Sequence, residues 1–522
     1  MPITRAFDAV HGMQTDPPLD QMPGNVMRRI IDYLPEFQNQ LLARGGWSNL
    51  TGVVAHTGGA VPVYNWVTYC PFSNGAKLCF NGHQAADLAW VSTLDGSTVG
   101  TNLGSASLPG LGTSPGIWHR TSTAVNGGLL IVPMGASGQL PAKWDATNPV
   151  AVLGGSPPFA RVAASWGDWL ILANGAAPNG NRIWFSGAGA PETWVLSGAQ
   201  AAYTDAPEDV LAIVPKGNTI FVFGKTGTHL LIGDLPPPNS TFTFRKFAFA
   251  EGIGWGTSFT GMEAVCTYKD FVIWANANGV YKSDGGQPID LTKLGGIKSY
   301  WPFVYKPQSN HKVSVGTYRN YIFVTVLDSS NAAWRCLVYD LDANTWWEWS
   351  NIPATQLVHI PQSFGVQEDL LIVDRANNKL GSIAYAMKGF WATTDGNGAV
   401  KGGSILTGAY RFGTLGQKRI RRGFITCMVQ NSPSPSVIQA GFCTPDIYVQ
   451  PGSDPTSVVG TNLTLTISGN AVNNGKNLRV PYRIDRRVEL IQGYLLSSGG
   501  VGISGLDFEA AAYDQVRDGD SR

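Results

Sequence analysis

The sequence predicts an all-β protein: a six- or seven-bladed β-propeller with an N-terminal arm and a C-terminal β-sandwich-like domain. Three observations carry this prediction: many glycines, prolines and aromatic residues, few charges, and one recurring hairpin pattern. Gly and Pro fill 63 and 32 of the 522 positions, and charged residues only 14%, against roughly 25% in an average soluble protein. This composition is typical of short strands joined by tight turns, because long amphipathic helices need more charged residues.

The recurring unit is a short strand, a polar two-residue turn and an apolar strand. It occurs at 123–132, 163–172, 213–222, 265–274 and 315–324, with a weaker copy at 364–373 and a doubtful one at 81–91. The last turn residues of the seven copies lie 40 to 52 residues apart: Asp87, Gly128, Asp168, Asn218, Asp270, Asn320 and Asp369. Such a period predicts four-stranded propeller blades. Unrelated hairpins of a sandwich would not hold their spacing over six intervals.

Further strand signals flank these hairpins. The segment 334–350 predicts a strand, a turn over residues 340–344, and a second strand that ends in Trp346, Trp347 and Trp349. Tryptophans at blade edges bury large apolar surfaces. We therefore expect this cluster to pack between blades rather than to stack on a ligand.

The regular spacing also suggests domain boundaries. Residues 1–50 are predicted to form an N-terminal arm packed on the body, 51–400 the β-propeller, 401–515 the C-terminal β-sandwich-like domain, and 516–522 a polar tail. The C-terminal stretch keeps strand-like runs, such as SILTGAYRF and RRGFITCMV, separated by loops rich in Pro, Gly and Ser.

Cysteine usage and the N-terminus predict synthesis in a reducing compartment. None of the six cysteines lies in a CxxC pair and four lie in apolar runs, so we expect buried free thiols. The N-terminus lacks the pattern of a signal peptide, and no apolar stretch approaches the roughly 20 residues that span a membrane. The protein is therefore expected to be soluble and made in the cytoplasm. The cysteines are Cys70, Cys79, Cys266, Cys336, Cys427 and Cys443.

Two fragments of catalytic motifs occur without the context that they need. Gly112–Gly116 has the spacing of a nucleophile elbow, with His119 nearby, but Pro115 offers no N–H for an oxyanion hole. Gly224–Thr226 matches the end of a phosphate-binding loop, but Thr219 stands where that loop requires glycine. We predict no catalytic residue, no cofactor-binding residue and no cofactor, so the protein is expected not to be an enzyme.

Metal-site patterns are equally incomplete. The seven histidines are scattered, with no HxH, HxxxH or HExxH spacing. Residues 340–346 alternate oxygen-bearing side chains but lack the glycine and distal glutamate of a calcium loop. Residues 282–290 resemble the Asp-containing hairpins of sialidase propellers, yet lack their Thr-Trp ending. We predict no metal site.

Basic residues concentrate in the C-terminal stretch, although the whole chain has a formal net charge of only +1. If their segments pair in one sheet, they form a basic face. That face would be either a solvated or salt-bridged surface, an inter-subunit contact, or a lining for passing DNA phosphates. The residues are Lys418, Arg419, Arg421, Arg422, Arg483, Arg486 and Arg487.

Four segments resemble the β-propeller tail-nozzle or tail-hub proteins (head-to-tail connectors) of short-tailed bacteriophages, over roughly residues 25–515. They are RIIDYLPE…LLARGGW (29–47), NRIWFSGAGAPETW (181–194), VYDLDANTWWEW (338–349) and RRGFITCMV (421–429). The resemblance implies a structural protein of the virion tail, made in the host cytoplasm and assembled as a homo-hexameric ring. It also implies contacts with a head-to-tail adaptor and with tail fibres or spikes. Such a ring would continue the DNA channel, help to retain and eject DNA, pass double-stranded DNA non-specifically and bind no small-molecule substrate.

Two other functions stay open. A glycan-binding propeller, or a receptor-binding tail protein, would carry aromatic side chains at loop tips, whereas those of this chain fall mostly within apolar strands. A propeller glycosidase would need clustered carboxylates, which distant blades could assemble without leaving a sequence motif.

Overall fold

The computed structural model describes the chain in segments, to which all statements below refer. The described residues are 3–7, 12–16, 27, 29–34, 41–42, 44, 46–49, 66–72, 75–81, 89–93, 101–102, 124–133, 135, 140–148, 151–239, 242–247, 252–253, 261–304, 313–328, 333–362, 368–374, 377, 379–387, 402–410, 418–429, 436–443, 463–467, 476–488, 491–498 and 501–512. Nearly all regular structure in them is β-strand. No helix in these segments is long and apolar enough to cross a membrane.

Four short strands precede the propeller: β1 (Ile3–Phe7), β2 (Arg29–Ile31), β3 (Leu41–Leu42) and β4 (Ser48–Asn49). They are followed by the four-stranded units that we number as blades in chain order. Blade 1 contains β5 (Trp66–Phe72), β6 (Gly75–Asn81), β7 (Ala89–Thr93) and β8 (Thr101–Asn102). Blade 2 contains β9 (Ala124–Asn126), β10 (Leu129–Val132), β11 (Ala142–Trp144) and β12 (Ala151–Val152).

The middle blades follow the same order of four antiparallel strands. Blade 3 contains β13 (Val162–Trp166), β14 (Trp169–Ala173), β15 (Arg182–Phe185) and β16 (Tyr203–Asp205). Blade 4 contains β17 (Ala212–Lys216), β18 (Thr219–Phe223), β19 (Thr228–Ile232) and β20 (Thr243–Lys246). Blade 5 contains β21 (Val265–Tyr268), β22 (Phe271–Asn276), β23 (Gly279–Ser283) and β24 (Ile289–Asp290).

The last two units differ from the others in their outer strands. Blade 6 contains β25 (Val313–Tyr318), β26 (Tyr321–Asp328), β27 (Ala333–Asp340) and β28 (Thr345–Ser350), and blade 7 contains β29 (Gln356–Ile360), β30 (Asp369–Asp374) and β31 (Lys379–Ser382). Among the described residues, six blades are separate four-stranded sheets, whereas blade 6 belongs to a nine-stranded sheet. Short helices follow β24, precede β25 and follow β31: α1 (Leu291–Leu294), α2 (Trp301–Val304) and α3 (Ile383–Ala386).

Each blade contacts the next, and the seventh contacts the first, so the predicted β-propeller is confirmed. Blades 1 and 2 meet at the Phe72 and Trp144 rings (5.1 Å), blades 2 and 3 through Asn126 Nδ2 and Ser165 Oγ (2.8 Å), and blades 3 and 4 through Trp166 Nε1 and the Gly217 carbonyl (2.9 Å). Blades 4 and 5 meet through Lys216 Nζ and the Lys269 carbonyl, and blades 5 and 6 through Tyr268 Oη and Asn320 Oδ1 (2.7 Å). Blades 6 and 7 meet through the Arg319 N–H and Glu368 Oε1 (3.1 Å), and blades 7 and 1 through Gln356 Nε2 and the Val67 carbonyl (2.9 Å). In a closed ring every blade packs against two neighbours, and only short, protected strand edges remain.

An N-terminal strand completes the ring. β4 pairs antiparallel with β31 and supplies the outermost strand of blade 7. Next to it, Trp47 is fully buried and donates its indole N–H to the Asn351 carbonyl at 2.9 Å. Residues that precede the first blade therefore form part of the last blade. This pairing joins the two ends of the propeller segment.

The chain after the propeller forms seven further strands: β32 (Gly402–Tyr410), β33 (Lys418–Val429), β34 (Ser436–Cys443), β35 (Leu463–Ile467), β36 (Lys476–Val488), β37 (Ile491–Ser498) and β38 (Val501–Ala512). Four of them extend blade 6 through β2, in the order β28-β2-β32-β37-β34-β35. The others form a second sheet in the order β1-β38-β33-β36, with β3 also paired to β38. One sheet therefore runs across the boundary predicted near residue 400, and the division into domains stays a prediction.

The predicted hairpin turns explain the repeat. Gly127, Gly167 and Gly217 lie in turns between the first two strands of their blades and have φ of 56°, 53° and 56°. In blades 5 and 6 the corresponding residues are Lys269 and Arg319, at 48° and 51°. These are left-handed conformations, which glycine adopts without strain.

The two weak copies of the repeat need correction. The copy at 81–91 spans the end of β6 and the start of β7, so it is the second hairpin of blade 1; β5 and β6 form the first. In the copy at 364–373, Asp369 begins β30, and the partner strand β29 ends at Ile360, earlier than predicted. Both errors arose because a polar pair before an apolar run resembles a tight turn wherever it stands.

The predicted burial of the tryptophan cluster is confirmed. Trp346, Trp347 and Trp349 lie on β28 and are at most 1% exposed. The predicted free thiols are confirmed for the buried Cys70, Cys336 and Cys427, whereas Cys266 is half-buried. Burial raises the pKa of the Cys427 thiol to about 11. Cys79 and Cys443 have side chains outside the described part of the chain.

Candidate functional site

The structure brings the two basic segments into neighbouring antiparallel strands, β33 and β36. Arg419 lies opposite Arg487 and Arg422 opposite Arg483, while Ile420 lies opposite Arg486, Lys418 opposite Val488, and Arg421 at a shift in the register. Opposite residues of an antiparallel pair have Cα atoms roughly 4.5–5.5 Å apart. The side chains of these seven basic residues lie outside the described part, so their contacts stay a prediction.

The middle of the same two strands has described side chains. Arg479 and Pro481 on β36 are exposed, and Val480 between them is half-buried. On β33, Ile425 and Cys427 are fully buried, and the Phe424 ring lies 4.2 Å from the Arg479 guanidinium carbon. Because successive strand residues alternate between faces, position 483 falls on the same face as exposed Arg479, and position 487 lies beyond the register shift between Arg483 and Arg486.

The charge of this region differs from that of the whole chain. β33 has four basic residues and no acidic one, and β36 has five basic residues and Asp485. The two strands therefore carry +4 and +4, a sum of +8, whereas the complete chain carries +1. On the other side of β33, β38 places Glu509 opposite Arg422 and Asp507 opposite Phe424. Among the described strands, β36 is the outermost of its sheet.

A second cluster of charged residues is buried where the N-terminal segment meets blade 6. Arg44 is 0% exposed and donates from Nε to Asp32 Oδ1 at 2.7 Å and from Nη2 to the Ser350 carbonyl at 2.5 Å. Asp32 also accepts the Ser350 N–H at 2.8 Å and its hydroxyl. Trp349 donates its indole N–H to the Tyr33 carbonyl at 2.9 Å. We call Asp32, Arg44 and Ser350 the arm clasp.

A neighbouring network of buried hydrogen bonds lies at the same junction. Glu348, which is 3% exposed, accepts from Tyr300 Oη at 2.9 Å and from Arg335 Nη1 at 3.1 Å. Arg335 also donates to Tyr300 Oη at 3.0 Å. The Glu348 carbonyl accepts the Asp32 N–H at 2.8 Å, which links this network to the arm clasp. Buried charges are stable only when they are paired and hydrogen-bonded in this way.

The Gly224–Thr226 segment is a turn of blade 4 in which Thr226 donates to an acidic residue. Glu208 Oε2 accepts the Thr226 N–H at 2.7 Å and the Thr226 hydroxyl at 3.1 Å. Its other oxygen lies 3.1 Å from His229 Nε2. A carboxylate thus occupies the donors with which a phosphate loop would bind its anion.

The acidic turn at 340–344 is also internally bonded. Asp340 Oδ1 accepts the N–H groups of Asp342 and Ala343 at 2.9 and 3.0 Å. In the described part of the chain, no three or more His, Cys, Asp or Glu side chains are placed to hold a metal ion. Gly112–Gly116 and His119 lie outside the described residues.

Sequence reasoning overlooked the arm clasp and the position of Arg479. The clasp had a weak signal, since Asp32 and Arg44 are single charges beside the apolar runs RII and LLA. Arg479 stands in the alternating pattern LRVPYRI, which indicates a strand with one polar face. Only the register of β33 and β36 shows that this face continues the basic positions.

Comparison with known proteins adds little to this description. No protein-family model and no curated protein matches the chain. Among solved structures, the computationally designed protein Ika8 is 11% identical, with 73% of this chain and 99% of that one covered and a TM-score of 0.35. Kluyveromyces lactis Hsv2 is 9% identical (53% and 82% covered, TM-score 0.29), and the AfRom2 CNH domain 8% (65% and 97%, TM-score 0.38). At these scores the similarities carry no functional argument.

Proposed function

We propose that this chain is a non-enzymatic structural protein of a phage virion, a tail nozzle or tail hub. Its copies would form a six-membered ring that continues the DNA channel below the portal and the head-to-tail adaptor, and would anchor fibres or spikes. In this role the chain retains and releases DNA mechanically. The proposal builds on the sequence resemblance and on the way in which the structure joins the segments that carry it.

The observation that supports the proposal most is the nine-stranded sheet. β2 pairs parallel with β28 of blade 6 and antiparallel with β32 of the C-terminal strands. Two of the segments that resemble nozzle proteins, 29–47 and 338–349, therefore meet at one junction.

This construction suits a mechanical role. A closed propeller is stiff because each blade packs on two neighbours, and backbone hydrogen bonds continue from blade 6 into the C-terminal strands. The arm clasp fixes the inserted strand with buried polar contacts. A subunit built in this way would transmit force between its propeller and its C-terminal strands without a hinge at the junction.

The test is assembly. The purified chain is examined by mass photometry and negative-stain microscopy, alone and after mixing with particles that lack it; an unrelated propeller of similar mass is the control. We expect a species of six copies with an axial hole, or incorporation at the vertex below the portal. A chain that stays monomeric and does not bind these particles would contradict the proposal, and a glycan array would then test the receptor-binding alternative.

A further inference from the structure

We infer that the paired strands β33 and β36 bind the phosphodiester backbone of nucleic acid without reading its sequence. This inference rests on the proposed function, in which DNA passes the protein, and names the surface that contacts it. The surface is the outer part of the sheet β1-β38-β33-β36, from Arg479 to Arg487 on β36 and from Arg419 to Phe424 on β33.

The charge of the two strands favours a polyanionic partner. Counted over both faces of the sheet, they sum to +8 in a chain of net charge +1, and the register sets Arg419 opposite Arg487 and Arg422 opposite Arg483. Like charges directly opposite each other on adjacent strands destabilise a sheet. β38 places Glu509 opposite Arg422 and Ala511 opposite Arg419. A bound polyanion would add negative charge beside both arginine pairs.

The arginines are spaced along the outermost strand. Arg479 and Arg483 lie four residues apart on one face of β36, about 13 Å at about 3.3 Å per residue. Arg487 follows four residues later, beyond the register shift between Arg483 and Arg486. One strand of a duplex presents a phosphate roughly every 3.4 Å of its axis, so this row could follow the backbone over several nucleotides. Guanidinium groups are well suited to it because they bind phosphate with paired donors.

β36 is poorly suited to pairing with a second copy of this chain. An outermost strand can pair with a strand of another subunit, but Pro481 lacks an N–H in the middle of β36, and the arginines would repel a like strand. Proline and positive charges are features that natural sheets use to prevent such pairing. The strand is therefore better suited to a polyanion than to strand addition by a neighbouring copy.

The experiment measures binding of a labelled random-sequence DNA duplex to the full chain by fluorescence anisotropy, between about 50 and 200 mM salt. The test variant is Arg479→Gln/Arg483→Gln/Arg487→Gln. Its matched control is Arg161→Gln/Lys225→Gln/Lys293→Gln, which removes three exposed positive charges from the propeller. We expect the test variant to bind more weakly and its slope of log affinity against log salt to decrease by about 0.9 for each phosphate that is no longer neutralised. The control should keep the wild-type slope.

Two additional samples keep the result interpretable. The triple Arg→Lys variant at 479, 483 and 487 should retain most of the binding, which would show that loss of charge rather than misfolding weakens the Gln variant. Polyglutamate serves as a second probe. Binding of polyglutamate but not of the duplex would overturn the inference in favour of an acidic protein partner, and equal duplex binding by wild type and the Gln variant would overturn it outright.

Mass photometry of the same samples separates this inference from the proposed function. Six-copy rings that do not bind the duplex would refute the nucleic-acid surface and leave the ring proposal standing. Duplex binding through these arginines by a chain that never assembles would support the nucleic-acid surface and refute the ring proposal.

Discussion

The middle blades and the junction around the arm clasp differ in how the pairing of their strands is specified. In blades 3 to 5 every strand pairs with its neighbour in sequence, and the contacts between blades are largely apolar clusters. At the junction, Asp32 bonds to Ser350, 318 residues later, through buried polar groups. Local pairing needs only turn signals and apolar alternation, whereas distant segments need specific partners to fix one register. The junction is therefore where single substitutions should cost most.

The largest effect is expected for Arg44→Met. This change leaves the Asp32 carboxylate buried without its cation, and breaking a buried ion pair typically lowers the free energy of unfolding by about 3–5 kcal/mol. The matched control is Arg182→Met in blade 3, whose ion pair with Asp205 has the same 2.7 Å distance but is partly exposed, so about 0.2–1 kcal/mol is expected. Urea unfolding measures both; equal losses would contradict the contrast between the two regions.

A steric substitution tests the closure of the ring by the N-terminal segment. In Gly381→Ala, the new methyl group would overlap the buried Trp47 ring, because β31 passes directly beneath it. Overpacking of this kind costs about 1–3 kcal/mol. Gly187→Ala in blade 3 is the control, since its methyl group would meet the nearest atom at 3.3 Å. Thermal unfolding should show a clearly larger decrease for Gly381→Ala than for Gly187→Ala, whose contact is tight but less so; matching melting temperatures would argue against tight packing at this closure.

The same contrast explains what the sequence could predict. The hairpins around Asp168, Asn218, Asp270 and Asn320 were identifiable because a polar turn pair between two apolar runs specifies its own structure. β2 was not, since three residues such as Arg29–Ile31 become a strand only by pairing with β28 and β32. The basic residues were evident in the sequence, but their pairing across β33 and β36 depends on a register that composition does not encode.

A smaller effect is expected in the turns that the sequence did predict. Gly217 has φ of 56°, and a methyl group added there would meet nothing within 4 Å. Gly217→Ala should therefore lower the free energy of unfolding only through backbone strain, by about 1–2 kcal/mol, and Gly217→Asn by less, because asparagine tolerates this conformation. Chemical denaturation of the two variants provides the comparison. An equal loss for both would show that φ is not the reason for glycine in the repeat.

The smallest effect concerns a polar contact within a single blade. Burial raises the pKa of Glu208, but hydrogen bonds from Thr226 and His229 outweigh it and hold the pKa below the ordinary value of 4.5. A lowered pKa in the folded state stabilises the protein above pH 4.5, and this stabilisation is lost as the pH falls through the folded-state pKa. Glu208→Gln should therefore lower the melting temperature slightly at pH 7 and flatten its decline as the pH falls below 4.5. Asp168→Asn, in the turn of blade 3, is the control. If Glu208→Gln leaves the acid decline of the wild type unchanged, then the contacts that link Glu208 to the Gly224–Thr226 turn contribute nothing to the pH dependence of stability.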